Sequence, residues 1–499
     1  MLASIRYFLR FIGLESKFDN HGFVKKLGAS FKLNDKREAF TNFVAVNGPN
    51  GYAWNVVRSE SDLLMLQHAS ESSAHTFDGT KVESIEFEST SSSQHPKQPV
   101  AAKWSRKDGL SGTISFDYLV DASGRAGIMS TKYLKNRKFN EGLKNVATWG
   151  YWKGARTYAL GTEREGQPFF EALDDLSGWC WAIPLHNDSL SVGIVMRQDE
   201  SSRRKKALGS PNTVDFYKQC LNLSPIILDL LSEAELSSPI RAASDWSYSA
   251  SCYAGPNLRI VGDAGCFIDP FFSSGLHLAI AAGLSAAMTI QAARRGDCDK
   301  ATAAKWHSSK VTEGYTRFLL VVMMALKQIH SGSVPVLSDF DQEGFDRAFG
   351  FFTPSLADAD VGGKLTQARV SETVAFCLNA YNQITPQDRN AVLDKLARVR
   401  ADSYRETRED LEKLTEDELK ILRTIRARQM IRTEDTLNID HFSEDAIDGY
   451  APRLKRGELG LDKVEQWDEI PRYTESLLDV IKEAEDGTER VVHRAEPEQ

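Results

Sequence analysis

Cysteine is scarce in this 499-residue chain: six residues, Cys180, Cys220, Cys252, Cys266, Cys298 and Cys377, widely scattered and with no C-x-x-C pair. That spacing argues against a disulfide framework and against a zinc site, so no metal is expected, and the thiols suit the reducing environment of the cytoplasm. Long hydrophobic runs are also missing. The longest, Phe318 to Leu326, is bounded by Arg317 and Lys327, whereas a spanning helix needs about 20 apolar residues; no membrane span is expected. Positive charge is in deficit, with 61 Lys and Arg against 69 Asp and Glu and a net charge of -8. The bulk electrostatic footprint of a nucleic-acid-binding protein is therefore absent. No internal repeat is evident.

What is present is the composition of a globular protein, 41% hydrophobic, 10% aromatic and 26% charged, in a chain long enough for roughly three structural units. Residues 1–18 read as one helix with Ile5, Phe8, Leu9 and Ile12 on one face. Its Arg6 and Arg10 resemble those of a transit peptide, but Glu15 and Asp19 follow at once and no cleavage site appears. Lys32 lies in the strand-like Phe31-Lys32-Leu33, and a helix opens at Ser59 with Leu63, Leu64 and Leu66 expected inward. Val82 to Phe87 reads as a strand, and Val100–Trp104 pairs with Thr113–Val120 across Asp108-Gly109. Several strands between 145 and 197, separated by short polar turns, read as an antiparallel sheet facing a substrate. A helical stretch lies near 213–233, and from about residue 300 to the end the reading is mostly helical, with solvated faces such as Leu411–Arg428.

The most informative run is Gly262-Asp263-Ala264-Gly265-Cys266-Phe267-Ile268-Asp269-Pro270-Phe271-Phe272-Ser273-Ser274-Gly275-Leu276-His277, which follows the short apolar strand Leu258–Gly262 and precedes a helix of small residues. A strand ending in Gly-Asp puts a carboxylate at the carboxyl edge of a sheet, where a polyol hydroxyl can be held. Asp263 is the candidate. Ser-Ser-Gly then opens a helix whose first N–H groups are unpaired and whose dipole end is positive, which favours an anion. Taken alone, Gly-Asp is an ordinary turn, Ser273 or Ser274 an ordinary helix cap, and His277 a packed core histidine.

The whole run closely resembles the second flavin-binding signature of the FAD-dependent monooxygenase superfamily, in the form carried by flavin-dependent halogenases of the fungal phenolic branch. Three further segments agree: Trp54-Asn55-Val56-Val57-Arg58 with Asp62, the strand end Tyr118–Gly124, and Gly178-Trp179-Cys180-Trp181-Ala182-Ile183-Pro184, which is similar to the halogenase W-x-W-x-I-P element. The resemblance implies an α/β fold with a doubly wound, Rossmann-like FAD-binding domain over 1–144 and 240–300, incomplete at its N-terminus. It further implies an antiparallel substrate domain over 145–239 and a helical region over 301–499. The family's G-x-G-x-x-G turn, which cradles the FAD pyrophosphate, has no counterpart in the sequence as it begins at Met1. Two explanations stand: a misplaced start, or a fragment with impaired flavin binding.

The resemblance also assigns roles. Lys32 matches the halogenase catalytic lysine, which holds hypohalous acid, formed from halide by a flavin hydroperoxide, beside the substrate. A lone lysine on a strand is ordinarily a solvated surface charge; its matching segment is what singles it out. Ser274 and Gly275 match the halide-binding pair, Leu276 offers its backbone to the isoalloxazine, and Arg58 and Asp263 fall on the FAD side. Trp179 and Trp181 would wall off the substrate, although paired strand aromatics are more often core. Phe272 stands where tryptophan halogenases carry a glutamate, which favours a phenol that supplies its own electron density. The expected activity is chlorination or bromination of a phenolic, polyketide-like secondary metabolite, using FADH2 from a separate flavin reductase, O2, and chloride or bromide. The rivals are an FAD-dependent hydroxylase and an inactive fragment.

Overall fold

The computed structural model describes residues 1–33, 38–44, 49–88, 98–331, 414–419 and 449–464, together with 391, 392, 395, 421, 422 and 447. In chain order the strands are β1 Val24–Lys26, β2 Gly28–Lys32, β3 Ala39–Asn42, β4 Ala53–Asn55, β5 Thr80–Phe87, β6 Pro99–Arg106, β7 Ser111–Ser115, β8 Leu119–Asp121 and β9 Arg137–Lys153. They continue as β10 Phe169–Ala172, β11 Gly178–Pro184, β12 Ser189–Arg197, β13 Glu235–Leu236, β14 Arg241–Ala250, β15 Ala254–Gly255, β16 Leu258–Ile260, β17 Tyr450–Arg453 and β18 Gly460–Lys463. The helices used below are α1 Ile5–Ile12, α2 Glu15–Asn20, α3 Arg58–Glu71, α4 Pro225–Leu230, α5 Gly275–Arg295 and α6 Lys300–Ser331.

The chain divides into two units. The first, Met1–Gly363 with Arg432–Lys463, carries nearly all the described structure. Its centre is an eight-stranded sheet in the order β13-β9-β12-β11-β10-β2-β3, with β14 also paired to β9. Every pairing is antiparallel except that of β10 with β2. The sheet expected from residues 145–197 thus also recruits β2, β3 and β14 from outside that span. Strand alternation gives it two apolar faces. Ala29, Phe170, Trp179 and Val195 meet Phe271 and Val311, Phe318 and Val322 of α6. Phe169, Cys180, Val192 and Ile194 meet Phe216, Tyr217 and Ile227. Beside it, β8 and β16 form a parallel pair.

Several local expectations change. The single helix over 1–18 is two, because Gly13 takes a left-handed φ of 79° and ends α1, whose last residue, Ile12, is exposed. Leu63 and Leu66 of α3 are about half exposed rather than inward. The hairpin strand stops at Ser115; Leu119–Asp121 is a different strand, drawn away by its pairing with β16. The helical reading of the C-terminal part meets the β17–β18 hairpin, while most of Leu411–Arg428 lies outside the described residues. In the second unit, Val392, Leu414 and Leu422 cluster.

Helix α5 is, among the described residues, the one helix long and apolar enough to cross a membrane by length and composition, which the apolar-run reading did not register because Gly, Ser and Thr interrupt it. A core helix meets the same test. The polar groups of α5 are paired inside the protein: His277 Nδ1 with Ser4 Oγ at 2.8 Å, Ser285 Oγ with His307 Nδ1 at 2.9 Å, and Thr289 Oγ1 accepting from Arg259 Nε at 2.9 Å.

Arg6 is an internal clip. Its guanidinium, 3% exposed, donates to Glu15 at 2.7 Å, to both Asp19 oxygens at 2.8 and 2.9 Å and to the Tyr52 carbonyl at 3.1 Å, and lies over the Trp54 ring at 4.2 Å. The bonds from Arg10 and then Arg6 hold the Glu15 carboxyl below its ordinary value, and those from Arg6 and then Tyr52 do the same for Asp19, so the stabilisation they add is present above the ordinary carboxyl values and lost as pH falls through the lowered folded ones. Replacement Arg6→Leu leaves Glu15 to Arg10 and Asp19 to the Tyr52 hydroxyl and is expected to lower unfolding free energy by about 2 kcal/mol through the lost charge-assisted bonds, read as a shifted urea midpoint with unchanged slope.

Candidate functional site

The site grows from the end of the β8–β16 pair. Asp121, which follows Val120 in β8, is spent on its own turn, its Oδ1 accepting from Ser123 N at 3.0 Å and its Oδ2 from Met129 N at 2.7 Å. The parallel strand delivers Gly262 in a left-handed conformation, φ 55°, where an added Cβ would sit 2.8 Å from the Ala279 Cβ. Glycine here lets α5 press against the turn. Asp263 follows, half-buried. Burial raises its carboxyl, while the guanidiniums of Arg125, Arg58 and Arg137 pull it back down. Arg137 Nη1 donates to the Arg125 carbonyl at 2.7 Å, and its guanidinium lies 3.9 Å over the Tyr248 ring, whose hydroxyl donates to the Asp263 carbonyl at 2.6 Å. Arg58 opens α3 and forms two 3.1 Å bonds to Asp62, both side chains being exposed.

Asp269 fixes the next step. It is fully buried, with Oδ2 accepting from Asn145 Nδ2 on β9 at 2.7 Å and Oδ1 accepting from Phe271 N at 3.1 Å. Burial pushes its carboxyl up to about 6, with the Asn145 and Phe271 bonds acting in the opposite direction. The turn Pro270–Phe272 then leads through Ser273, left-handed at φ 56°, to Ser274 and the start of α5. The expected serine cap is not made: Ser274 Oγ, almost fully buried, has no hydrogen-bond partner. A buried hydroxyl left unpaired costs about 1–3 kcal/mol. At Gly275 an added Cβ would meet open space. Leu276 is half-buried, beside the cluster around Ile5 and Trp54.

Over this helix start stands an aromatic wall. Phe271 packs edge-on to Phe272 at 4.9 Å and to Trp179 at 5.0 Å, and Trp179 lies 5.7 Å from Trp181. Trp181 donates to Ser191 Oγ at 3.2 Å and lies across Gly193, where any Cβ would fall 2.2 Å from its ring. Trp179 Nε1 is a second buried polar atom without a partner. Trp179, Trp181 and Phe272 thus share one apolar cluster, and Phe272 stands two residues before Ser274 in the chain.

Lys32 is not brought to that face. Phe31 and Leu33 join the wall, Phe31 stacking on Phe170 at 5.0 Å, so alternation turns Lys32 to the opposite face, in register with Glu171. Burial pushes the Glu171 carboxyl up to about 7, against its bonds from Ile227 N and Ile226 N and the charge of Lys32. Sequence reasoning passed over Asp269, Arg125, Arg137, Asn145 and Gly193 as site residues. Asp269 lies inside a run already singled out and Arg125 directly follows one; the others carry no local signal.

An open helix start, a carboxylate beside three guanidiniums and an aromatic wall thus meet at this end of the sheet. Comparison with known proteins places the chain in a family. The tryptophan halogenase family model matches residues 41–324. The chain is 56% identical over 476 residues to the sulochrin halogenase gedL of Aspergillus terreus, covering 93% of this chain and 86% of that protein. It is 52% identical to the flavin-dependent halogenase ptaM of Pestalotiopsis fici, covering 93% and 87%. The crystal structure of the flavin-dependent halogenase CmlS shares the fold, with TM-score 0.61 and 23% identity over 93% of this chain and 76% of that one. The chain belongs to the tryptophan halogenase family; it is a flavin-dependent halogenating oxidoreductase with an α/β FAD-binding fold.

Because the folded Asp269 carboxyl lies above its ordinary 3.8, the native state holds its proton longer, and the site's contribution to stability falls as pH rises from about 4 to about 6. The Asp269→Asn variant is expected to lack that component, seen as a smaller change in urea midpoint between pH 4 and 7 than in the wild type.

Proposed function

We propose that the chain performs electrophilic chlorination or bromination of a phenolic, polyketide-like aromatic, with FADH2 delivered by a separate flavin reductase and with O2 and a halide ion as co-substrates. The observation that carries this reading is the start of α5, where the unpaired Ser274 Oγ and the open Gly275 lie beside the wall of Phe271, Phe272, Trp179 and Trp181.

The residues fit the flavin. Arg58, Arg125 and Arg137 offer charge to its phosphates, Asp263 offers a carboxylate to a ribityl hydroxyl, and the open approach at Gly275 and Leu276 leaves room for the ring. When bound, reduced FAD supplies, with O2, the two-electron oxidant that turns halide into hypohalous acid. The chain's own residues do the rest. The first N–H groups of α5 and the Ser274 hydroxyl hold the halide at the positive end of the helix. The indoles and phenyl rings exclude water and stack on the arene. Phe272 brings no carboxylate to stabilise a cationic arene, which suits a phenol, activated by its own oxygen. The first relative's name, sulochrin halogenase, supports the polyketide class.

Lys32 is the residue proposed to hold hypohalous acid. Its ammonium would donate a hydrogen bond to the oxygen, so that the arene takes the halogen and the hydroxyl leaves as water with the arene's proton. As the last residue of β2 on the face away from the wall, its amine has to reach round the strand end to do so.

Lys32→Ala is therefore expected to cut halogenated product by a factor on the order of 10² or more while oxygen still consumes reduced flavin. Lys32→Arg should fail as well, since a guanidinium is bulkier and stays protonated. Mass spectrometry of products from a phenol panel with chloride, bromide or neither checks this; wild-type yield from Lys32→Ala, or an oxygenated product indifferent to halide, contradicts it. Asp263→Ala should weaken FAD binding about tenfold, a loss of about 1.4 kcal/mol, in a flavin fluorescence titration, whereas Ser274→Val should raise the halide concentration needed without changing flavin affinity.

A further inference from the structure

We propose that His21, Glu60 and His186 form a binding site for one divalent transition-metal ion of the Zn2+ class. The three come from segments far apart in the chain: the turn after α2, the first turn of α3 and the turn after β11. His21 Nε2 lies 2.7 Å and His186 Nε2 3.1 Å from the same oxygen, Glu60 Oε2, and the three candidate ligand atoms fall within 4.8 Å of one another. Tetrahedral ligands about 2.0–2.1 Å from Zn2+ are themselves about 3.4 Å apart, so small side-chain rotations suffice to admit the ion.

The imidazoles are held from behind. The buried Phe23 ring packs against His21 at 4.3 Å and edge-on to His186 at 5.3 Å, and the two imidazoles lie 5.8 Å apart. Their orientation is set by packing against an apolar ring, which is the support a metal site needs. All three side chains are partly exposed, at 27, 38 and 20% for His21, Glu60 and His186, leaving a route for the ion and a fourth position for water. Two imidazole nitrogens and a carboxylate oxygen suit Zn2+ and its neighbours rather than Mg2+ or Ca2+. An ordinary hydrogen-bonded cluster is the competing account. It predicts no metal stoichiometry. The cysteine-based expectation of no metal did not weigh histidines, and no short motif joins positions 21, 60 and 186.

The test uses the full, untagged chain after chelator dialysis, titrated with Zn2+ in a calorimeter and with Co2+ by visible absorption. Expected are one Zn2+ per chain and a tetrahedral Co2+ spectrum. Glu60→Gln, nearly isosteric, should weaken Zn2+ at least tenfold, since outer-shell partners alone are worth about 10–100-fold. The His21→Gln/His186→Gln double variant should lose both signals while circular dichroism stays native; should it not fold, Glu60→Gln decides alone. Substoichiometric binding by the wild type overturns the proposal, and so does unchanged affinity in Glu60→Gln. Binding that persists in a folded double variant would place the ion on other donors such as the scattered cysteines and also overturn it. None of these readouts depends on flavin or on halogenation.

Discussion

A single buried carboxylate sets the geometry of this protein's site. Asp269 has no access to solvent, and its two oxygens reach in different directions, one to Asn145 on β9 and the other to the backbone of the turn that launches α5. Through that pair of bonds the sheet and the helix start are held at one separation, and the aromatic wall fills the space between them. The same burial that makes the group costly to ionise makes its removal hard to compensate, because Asn145 and the Phe271 N–H would be left inside the protein without acceptors.

The sheet separates two environments. On one face Phe31, Phe170, Trp179 and Trp181 look toward Phe271, Phe272 and α6; on the other, Lys32 and Glu171 lie in register beside Phe169 and Cys180. Glu171 is fed by two N–H groups at the start of α4, yet burial holds it far above the ordinary carboxyl value. The face that carries the wall is the dry, aromatic side suited to a flat substrate. The face that carries Lys32 is also largely apolar, with Lys32 and Glu171 as ionisable groups at its edge.

How much of this was legible depended on whether the residues lay together in the chain. The run from Gly262 to His277 is contiguous, so its turn, its carboxylate and its helix start could be read in order, and α5 follows where small residues predicted it. The two strand tryptophans, on alternate positions, could be placed on one face. Parity relative to other strands was not legible: that Lys32 faces away from Trp179 follows from the register of β2 with β10, which no local pattern encodes. Nor could Arg6 be seen as a buried clip, since its partners Asp19 and Tyr52 meet it only after the chain folds back. On α3 the error runs the other way for Leu63 and Leu66, which are exposed, while Leu64 packs against the cluster around Ile5 and Trp54 as expected. The helix pattern supplied a face, but little of the protein covers it there.

The central claim is that the start of α5, under the wall of Phe271, Phe272 and Trp179, is the halide position. Crystals of the FAD-loaded protein soaked in bromide, with anomalous data collected at the bromine edge, test this most directly. The account predicts a bromide peak within hydrogen-bond distance of the Ser274–Gly275 backbone, absent in Ser274→Val crystals or displaced there. Bromide ordered elsewhere in the flavin cavity, with nothing at the helix start, would contradict it.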